Sequence, residues 1–438
     1  MIKSALSSSL ILILVSALLS GGLIAREYHV EGIRGDDTAS GTSDHPWKTI
    51  GRTTAAAAPG DTIVIHGGTY RLERQLAFTA SGTEKQPITV TATPQETVLI
   101  DGGTNNCCIT LQARSHIIFR NLSFTTASMA VGAQMVYMEA TNYCEFSGCE
   151  FRGMPGPVGS ENSSVIRCMA TENGYSTGCI FRNNLFADNH SPALRLYRTD
   201  GWIIENNEFR NCVQAIGGKD SPLNMLVRRN RITGGETAFY FAGQHGCKNV
   251  RITENIVVGA DACFQTGGLG TEGKLREDLR LFNNTFYDCK QFINGWDDGF
   301  TRGQRYYNNI FFSRTRENIS PGSDLAGRMV NLNKYGKESI NPEHYFMDWN
   351  CLSIPSDDTS IRFIDAKIRS QSIQEWSIAH PPFESHSISA DPLFVDPEKG
   401  DFHLRPASPC IGKGMDGVDM GAYPHGTEMA VIGRISRN

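Results

Sequence analysis

The chain has 438 residues, of which 40% are hydrophobic and 20% charged, with a net charge of -5 at pH 7. That composition supplies a large apolar core and excludes a disordered chain, and the acidic balance argues against nucleic acid as the partner. Twelve cysteines without a single CxxC pair exclude a zinc ribbon and a small disulfide scaffold.

In chain order, Met1 to Ala25 carry one cation at Lys3, an apolar run from Leu10 to Leu19, and the small residues Ser20, Gly21 and Gly22. This order predicts a signal peptide over 1–25 and a secreted or periplasmic mature protein. No later stretch is long and apolar enough to span a bilayer. Residues 26–105 then read as an N-terminal cap followed by first strands. WKTIGRTTAAAA, Trp47 to Ala58, predicts a helix stopped by Pro59 and Gly60 that covers the open end of the strand region after it. The strand segments TIVIHGG, PITVTAT and TVLIDGG come next.

The middle of the chain, 106–352, is a repeat. CIFRNNLF, WIIENNEF, MLVRRNRI, VRITENIV, LRLFNNTF and QRYYNNIF share one Asn, at Asn184, Asn207, Asn230, Asn255, Asn284 and Asn309, spaced by 23, 23, 25, 29 and 25 residues. A period in that range predicts a solenoid. The short β-branched and aromatic runs lack the three-and-four spacing of an amphipathic helix, so each unit is a coil of strands. Asn suits the bend between strands because it tolerates left-handed backbone angles and bonds to neighbouring main chain. HIIFRNLSF, YCEFSGCEF and HYFMDWNCL are degenerate copies, which makes about nine coils. The last part, 353–438, is rich in Pro and Gly and reads as an irregular segment and extended tail. Among the cysteines, Cys168 with Cys179 and Cys144 with Cys149 are the first pairs to examine for bridging. The others fit as small buried hydrophobes.

The opening GDDTASGTSDHPWKTIGRTTAAAAPGDTIVIHGGTYRL and the ending DPLFVDPEKGDFHLRPASPCIGKG resemble those of secreted pectate-lyase-like β-helix proteins. The resemblance implies an all-β fold, a right-handed parallel β-helix solenoid with an N-terminal helical cap and a C-terminal tail. That superfamily includes polysaccharide lyases, glycoside hydrolases, uronate epimerases and proteins without a known reaction. AIGGKDSPLNMLVRRNRI and FYFAGQHG are similar to the chondroitinase-B and alginate-lyase branch, which carries a strand-end Lys and an Arg one coil further on. Lys219 matches the Lys. The Arg, expected near Phe241, is absent, although His245 and Gly246 follow.

Side chains alternate along a strand, so the third strand of each coil is expected to point Val136, Ile166, Leu194, Ile216, Phe239, Phe264 and Ile293 inward. The next residues then form an outward column, Tyr137, Arg167, Arg195, Gly217, Tyr240, Gln265 and Asn294. Two residues further lies a second one, Glu139, Met169, Tyr197, Lys219, Ala242, Gly267 and Trp296. Cations beside aromatic faces suit an acidic polysaccharide. For β-elimination, Arg195 and Arg167 would hold the carboxylate, Lys219 would be the base, and Tyr240 or His245 the acid. Substrate contacts would come from Arg167, His190, Tyr197, Gln265, Trp296, Asp297 and Asp298. Two alternatives stay open: a glycoside hydrolase using Asp297 and Asp298, or Glu236 and Asp261, as paired carboxylates, and a non-catalytic glycan-binding protein. Ca²⁺ is a candidate cofactor through the same acids, without any EF-hand or repeated calcium motif. No other metal site is expected, and the chain reads as a monomer.

Overall fold

The computed structural model describes residues 25–156, 163–169, 174–242, 246–267, 276–295, 301–314, 330–332, 344–353, 363–364, 369–370 and 372–426. Within them the repeat folds as a parallel β-solenoid. In the order in which a coil visits them, its first, second and third sheets hold thirteen, eleven and twelve strands, and strands of successive coils pair in parallel, with only Phe363–Ile364 and Arg369–Ser370 in the third sheet antiparallel. One coil runs Ile203–Glu205, Glu208–Arg210, Gln214–Lys219, contributing one strand to each sheet in turn. The short strands follow from the sequence, because two or three alternating residues are followed by a residue that turns the chain.

The shared Asn forms the rail along which coils stack. Asn184, Asn207, Asn230, Asn255, Asn284 and Asn309 are all 2% exposed or less. Each accepts the backbone N–H of its equivalent in the preceding coil, as in Asn207 N to Asn230 Oδ1 at 3.0 Å, and donates from Nδ2 to a carbonyl, as in Asn230 to Ile204 O at 2.9 Å. The ladder continues to Asn350, which accepts from Asn309 N at 3.0 Å. It begins at Cys149, whose N–H donates to Asn184 Oδ1 at 2.9 Å and whose Sγ donates to Phe119 O at 3.5 Å. The expectation that the shared Asn carries the left-handed angle is corrected. The residue before it does so, at Asn183, Asn206, Arg229, Glu254, Asn283 and Asn308, with φ between 51° and 56°. That residue lies on the outer side of the corner, where the C-terminal segment covers Asn308, and this frees the next one to turn its amide inward.

Inside, aromatic side chains stack coil on coil. Phe119, Phe146 and Phe181 lie with ring centroids 4.7 and 5.1 Å apart, and Phe124, Phe151, Phe186 and Phe209 form a second column at 4.9 to 5.0 Å. Each buried ring contributes roughly 1.5–3 kcal/mol by area alone.

The N-terminal helix covers Gly51–Ala56 rather than Trp47 to Ala58. Trp47 is held instead as a parallel bridge to Val30, and the Asp37 carboxylate ties down the N–H groups of Lys48 and Thr49 at 2.9 and 2.8 Å. Backbone groups committed to a strand and a side-chain cap cannot enter the helix. Near the other end, Phe394–Asp396 pairs antiparallel with Asp401–Leu404. Phe394, Phe402 and Leu404 bury against Tyr287, Ile310 and Cys351, on the outer side of the second sheet. All twelve cysteines are buried free thiols, so neither Cys168 with Cys179 nor Cys144 with Cys149 is bridged. Several donate to a carbonyl of the preceding coil, as Cys179 does to Thr141 O at 3.5 Å and Cys212 to Phe186 O at 3.6 Å.

Candidate functional site

The third sheet puts the cations in one row. Ile166, Leu194, Ile216, Phe239, Phe264 and Ile293 are completely buried; of the residues that follow them Arg167, Arg195, Tyr240 and Gln265 are partly exposed, whereas Gly217 and Asn294, expected outward, are buried. Tyr137 pairs with Arg167, Arg167 with Arg195, Arg195 with Gly217, Gly217 with Tyr240, Tyr240 with Gln265, and Gln265 with Asn294. Adjacent members are therefore one strand spacing apart, about 4.8 Å. The second column follows the same register, with Tyr197 opposite Lys219 and Lys219 opposite Ala242.

Gly217 contributes no side chain to the row, and the Gln214 amide reaches over it. A Cβ at this position would stand 2.6 Å from Gln214 Oε1, so the site accommodates no larger residue without displacement. Lys219 Nζ lies 5.2 Å from the centre of the Tyr240 ring in the next coil, and the Arg167 guanidinium lies 5.8 Å from the centre of the Tyr197 ring, likewise one coil on. Both distances fall within the reach of a cation–π interaction. Burial raises the pKa of the Tyr240 phenol and the nearby Tyr197 adds to this, while the Arg195 charge opposes it. The balance keeps the phenol protonated at neutral pH, in the form that donates a proton.

At the N-terminal end of the row the character changes. Tyr137 Oη donates to Glu139 at 2.9 Å and Gln112 Nε2 donates to the same carboxylate oxygen at 2.6 Å. Burial first, then the Glu139 contact, pushes the Tyr137 phenol up to about 12 against the opposing Arg167 charge. This cluster was not among the sequence-derived site residues. Strand alternation placed Tyr137 and Glu139 outward, but only the stacking of coils brings Gln112 to them. Ala242 and Gly267, on the far side of Lys219, leave the second column shallow.

His190 stands apart from the row. It lies exposed in the turn ahead of the Leu194–Tyr197 strand, with its N–H on Met154 O at 3.0 Å. Gln265 is in the row, its Oε1 3.4 Å from Thr237 Oγ1. Of the alternative acids, Asp261 forms an ion pair with Lys290 at 2.6 Å, and Glu236 is exposed on the turn of the preceding coil. His245, Trp296, Asp297 and Asp298 lie outside the described residues. Among the described residues no group of three His, Cys, Asp or Glu side chains comes together as a metal site.

The fold has counterparts among known proteins. Residues 28–189 match the family described as Pel9A-like, right handed beta helix region, and residues 134–311 match the right handed beta helix region. The chain folds as a right-handed parallel β-helix and is similar over residues 28–189 to the Pel9A-like family. Pectate lyase PEL9 of Emericella nidulans is 36% identical over 88 residues, a stretch covering 20% of this chain and 21% of that enzyme. Among solved structures, pectate lyase Pel9A superimposes with a TM-score of 0.53 at 15% identity, over 92% of this chain and 98% of that one. The GH136 lacto-N-biosidase from Eubacterium ramulus gives 0.53 at 12% identity, over 88% and 70%. At such identities the shared property is the fold. No helix among the described residues is long and apolar enough to cross a membrane.

Proposed function

We propose that this protein is an exported polysaccharide lyase that cleaves a uronate-containing polysaccharide by β-elimination. The observation that carries the reading is the register-locked row Arg167, Arg195, Gly217, Tyr240 with Lys219 beside it. In this scheme Arg167 and Arg195 bind the uronate carboxylate, which acidifies the C5 proton. Lys219, as the neutral amine, removes that proton. The electron pair forms the C4–C5 double bond, the C4–oxygen bond breaks, and Tyr240 delivers its proton to the leaving oxygen. The raised pKa of Tyr240 supports its role as the acid. Tyr197 and Gln265 flank the reacting unit, and the protein works as a monomer. The identity with a pectate lyase over 88 residues supports the same class of chemistry.

The test is ultraviolet absorbance of the unsaturated product while the purified protein is incubated with pectate, alginate and chondroitin sulfate, with and without Ca²⁺. A rise on any polymer supports the lyase. New reducing ends without absorbance replace elimination by hydrolysis, and binding without either product makes the row a glycan-binding surface.

A further inference from the structure

The outer face of the first sheet carries a second run of cations, separate from the row on the third. Arg251 pairs with Arg280 and Arg280 with Arg305, so the three hold one register on successive coils, about 4.8 Å apart. The next residue in each strand, Ile252, Leu281 or Tyr306, is completely buried, and alternation therefore turns the arginines outward. Arg251 and Arg305 are exposed, and neither forms a hydrogen bond or ion pair with a described residue. In the three preceding coils the same register holds Ile180, Ile203 and Leu226, so the charge begins abruptly.

Earlier coils neutralise the arginines on this face. Arg182 and Arg228 bracket Glu205 at 3.8 and 2.7 Å, and Arg182 also reaches Glu145 at 3.4 Å. Of the three stacked arginines only Arg280 has a carboxylate among the described residues, Asp278 at 2.6 Å. Asp348, one coil beyond Arg305, is buried and already accepts from His386 N and Trp349 N at 2.7 and 2.8 Å. Like charges opposite one another on paired strands are destabilising, and a bound polyanion removes that cost.

Aromatic rings border these cations. Phe282 and Tyr307 stack with centroids 5.1 Å apart, and Phe346 follows Arg305 in the arginine register, its ring 5.8 Å from that of Trp349. Phe282, Phe346 and Trp349 are partly exposed. Burial raises the pKa of the Tyr307 phenol, and the Arg280, Arg305 and Arg251 charges all oppose it, so the three cations converge on one ring. From Arg251 to Phe346 the strip runs three strand spacings, about 14 Å along the solenoid axis. Guanidinium forks suit carboxylates or sulfates, and flat rings suit the apolar faces of sugars. We infer that this strip is a second, non-catalytic binding site for acidic oligosaccharide, on a different face of the solenoid from the row. It shares with the proposed function only the class of ligand and needs no elimination chemistry. Duplex nucleic acid fits less well, because the strip offers two open cations in a chain of net charge -5.

The test is calorimetry of wild type, R251A/R305A, R195A and R195A/R251A/R305A with decamers of oligogalacturonate, oligoalginate and chondroitin sulfate, after matching thermal midpoints. R251Q/R305Q, which keeps more of the side chain, replaces the alanine pair if its midpoint falls. A short DNA duplex is the polyanion control without an acidic sugar. At least one decamer is expected to bind R195A, and adding R251A/R305A should weaken that binding at least tenfold. Equal affinity of R195A and R195A/R251A/R305A overturns the inference, as does a failure of all three decamers to bind wild type. A decamer that binds wild type but not R195A also overturns it, since a site on the first sheet survives that change. Duplex binding as tight as the decamer, and lost in the same variant, replaces the glycan site by a general polyanion surface. If R251A/R305A weakens the decamer while R195A changes nothing and no product absorbs, the strip stands and the lyase reading of the row fails. Absorbing product with R251A/R305A binding like wild type leaves the lyase and ends the strip.

Discussion

Lys219 Nζ sits 5.2 Å from the centre of the Tyr240 ring, one coil away, on the third sheet. The two residues are 21 positions apart in sequence and come together because coil follows coil in strict register. In the proposed elimination they are base and acid, and each can be tested separately.

Replacing Lys219 with Ala removes the base without touching the core, since the Lys219 side chain lies on the outward face. Turnover is expected to fall by about 10²–10⁴-fold, the usual span for a positioned acid or base. Circular dichroism and the thermal midpoint should match wild type. Full turnover in Lys219→Ala would end the mechanism.

Tyr240→Phe keeps the ring under the lysine and removes only the proton. A fall in kcat of about 10²-fold with KM little changed is expected. The pH profile supplies the sign. Because the folded phenol is raised above its ordinary value of 10.0, the acid form persists below that raised pKa and is lost as pH rises through it. The alkaline limb of kcat in wild type therefore lies above pH 10 and disappears in Tyr240→Phe.

Within the ladder, Asn230→Ala deletes the acceptor of Asn207 N and the donor to Ile204 O, both buried. Each orphaned group costs about 1–3 kcal/mol, so a loss of roughly 3–5 kcal/mol is expected in urea denaturation. A change within about 0.5 kcal/mol, the size of an exposed substitution, would mean that the rail contributes no stability.

Glu384 closes the far end of the ladder, accepting from Asn350 Nδ2 at 3.3 Å and from Ser387 Oγ. Burial holds its carboxyl up to about 8, with the Asp348 charge adding and the two hydrogen bonds opposing. A folded pKa above the unfolded one stabilises fully below the ordinary value of 4.5 and loses that contribution as pH rises toward 8. Wild type is thus expected to lose up to about 1.4 kcal/mol per pH unit across that window relative to Glu384→Gln. Urea midpoints at several pH values read the difference directly. Parallel curves for the two proteins would show that the fold does not retain this proton.

The thiols give a further structural check. Burial pushes Cys144, Cys149, Cys168 and Cys212 up to about 12, far from the thiolate that reacts. An aromatic disulfide reagent should titrate none of the twelve rapidly in the native protein and all twelve after denaturation. Fewer than twelve after denaturation would reveal bridging.

The coil period, the parallel solenoid and the alternation that sends Ile166, Leu194 and Ile216 inward and Arg167 and Arg195 outward were legible in the sequence by itself. These depend on local periodicity, two residues per side and one turn residue per corner, and repetition carried the register from coil to coil. Tertiary structure decided whatever rests on contacts between coils or between distant segments. The left-handed corner falls on Arg229 and its equivalents rather than on the shared Asn, because the buried amide must face its neighbours. Cys149 takes the first rung of the ladder, a role its residue type does not announce. Trp47 joins Val30 instead of the helix because Asp37 captures the following N–H groups. The approach of Lys219 to Tyr240 likewise depends on stacking distances that no local pattern encodes.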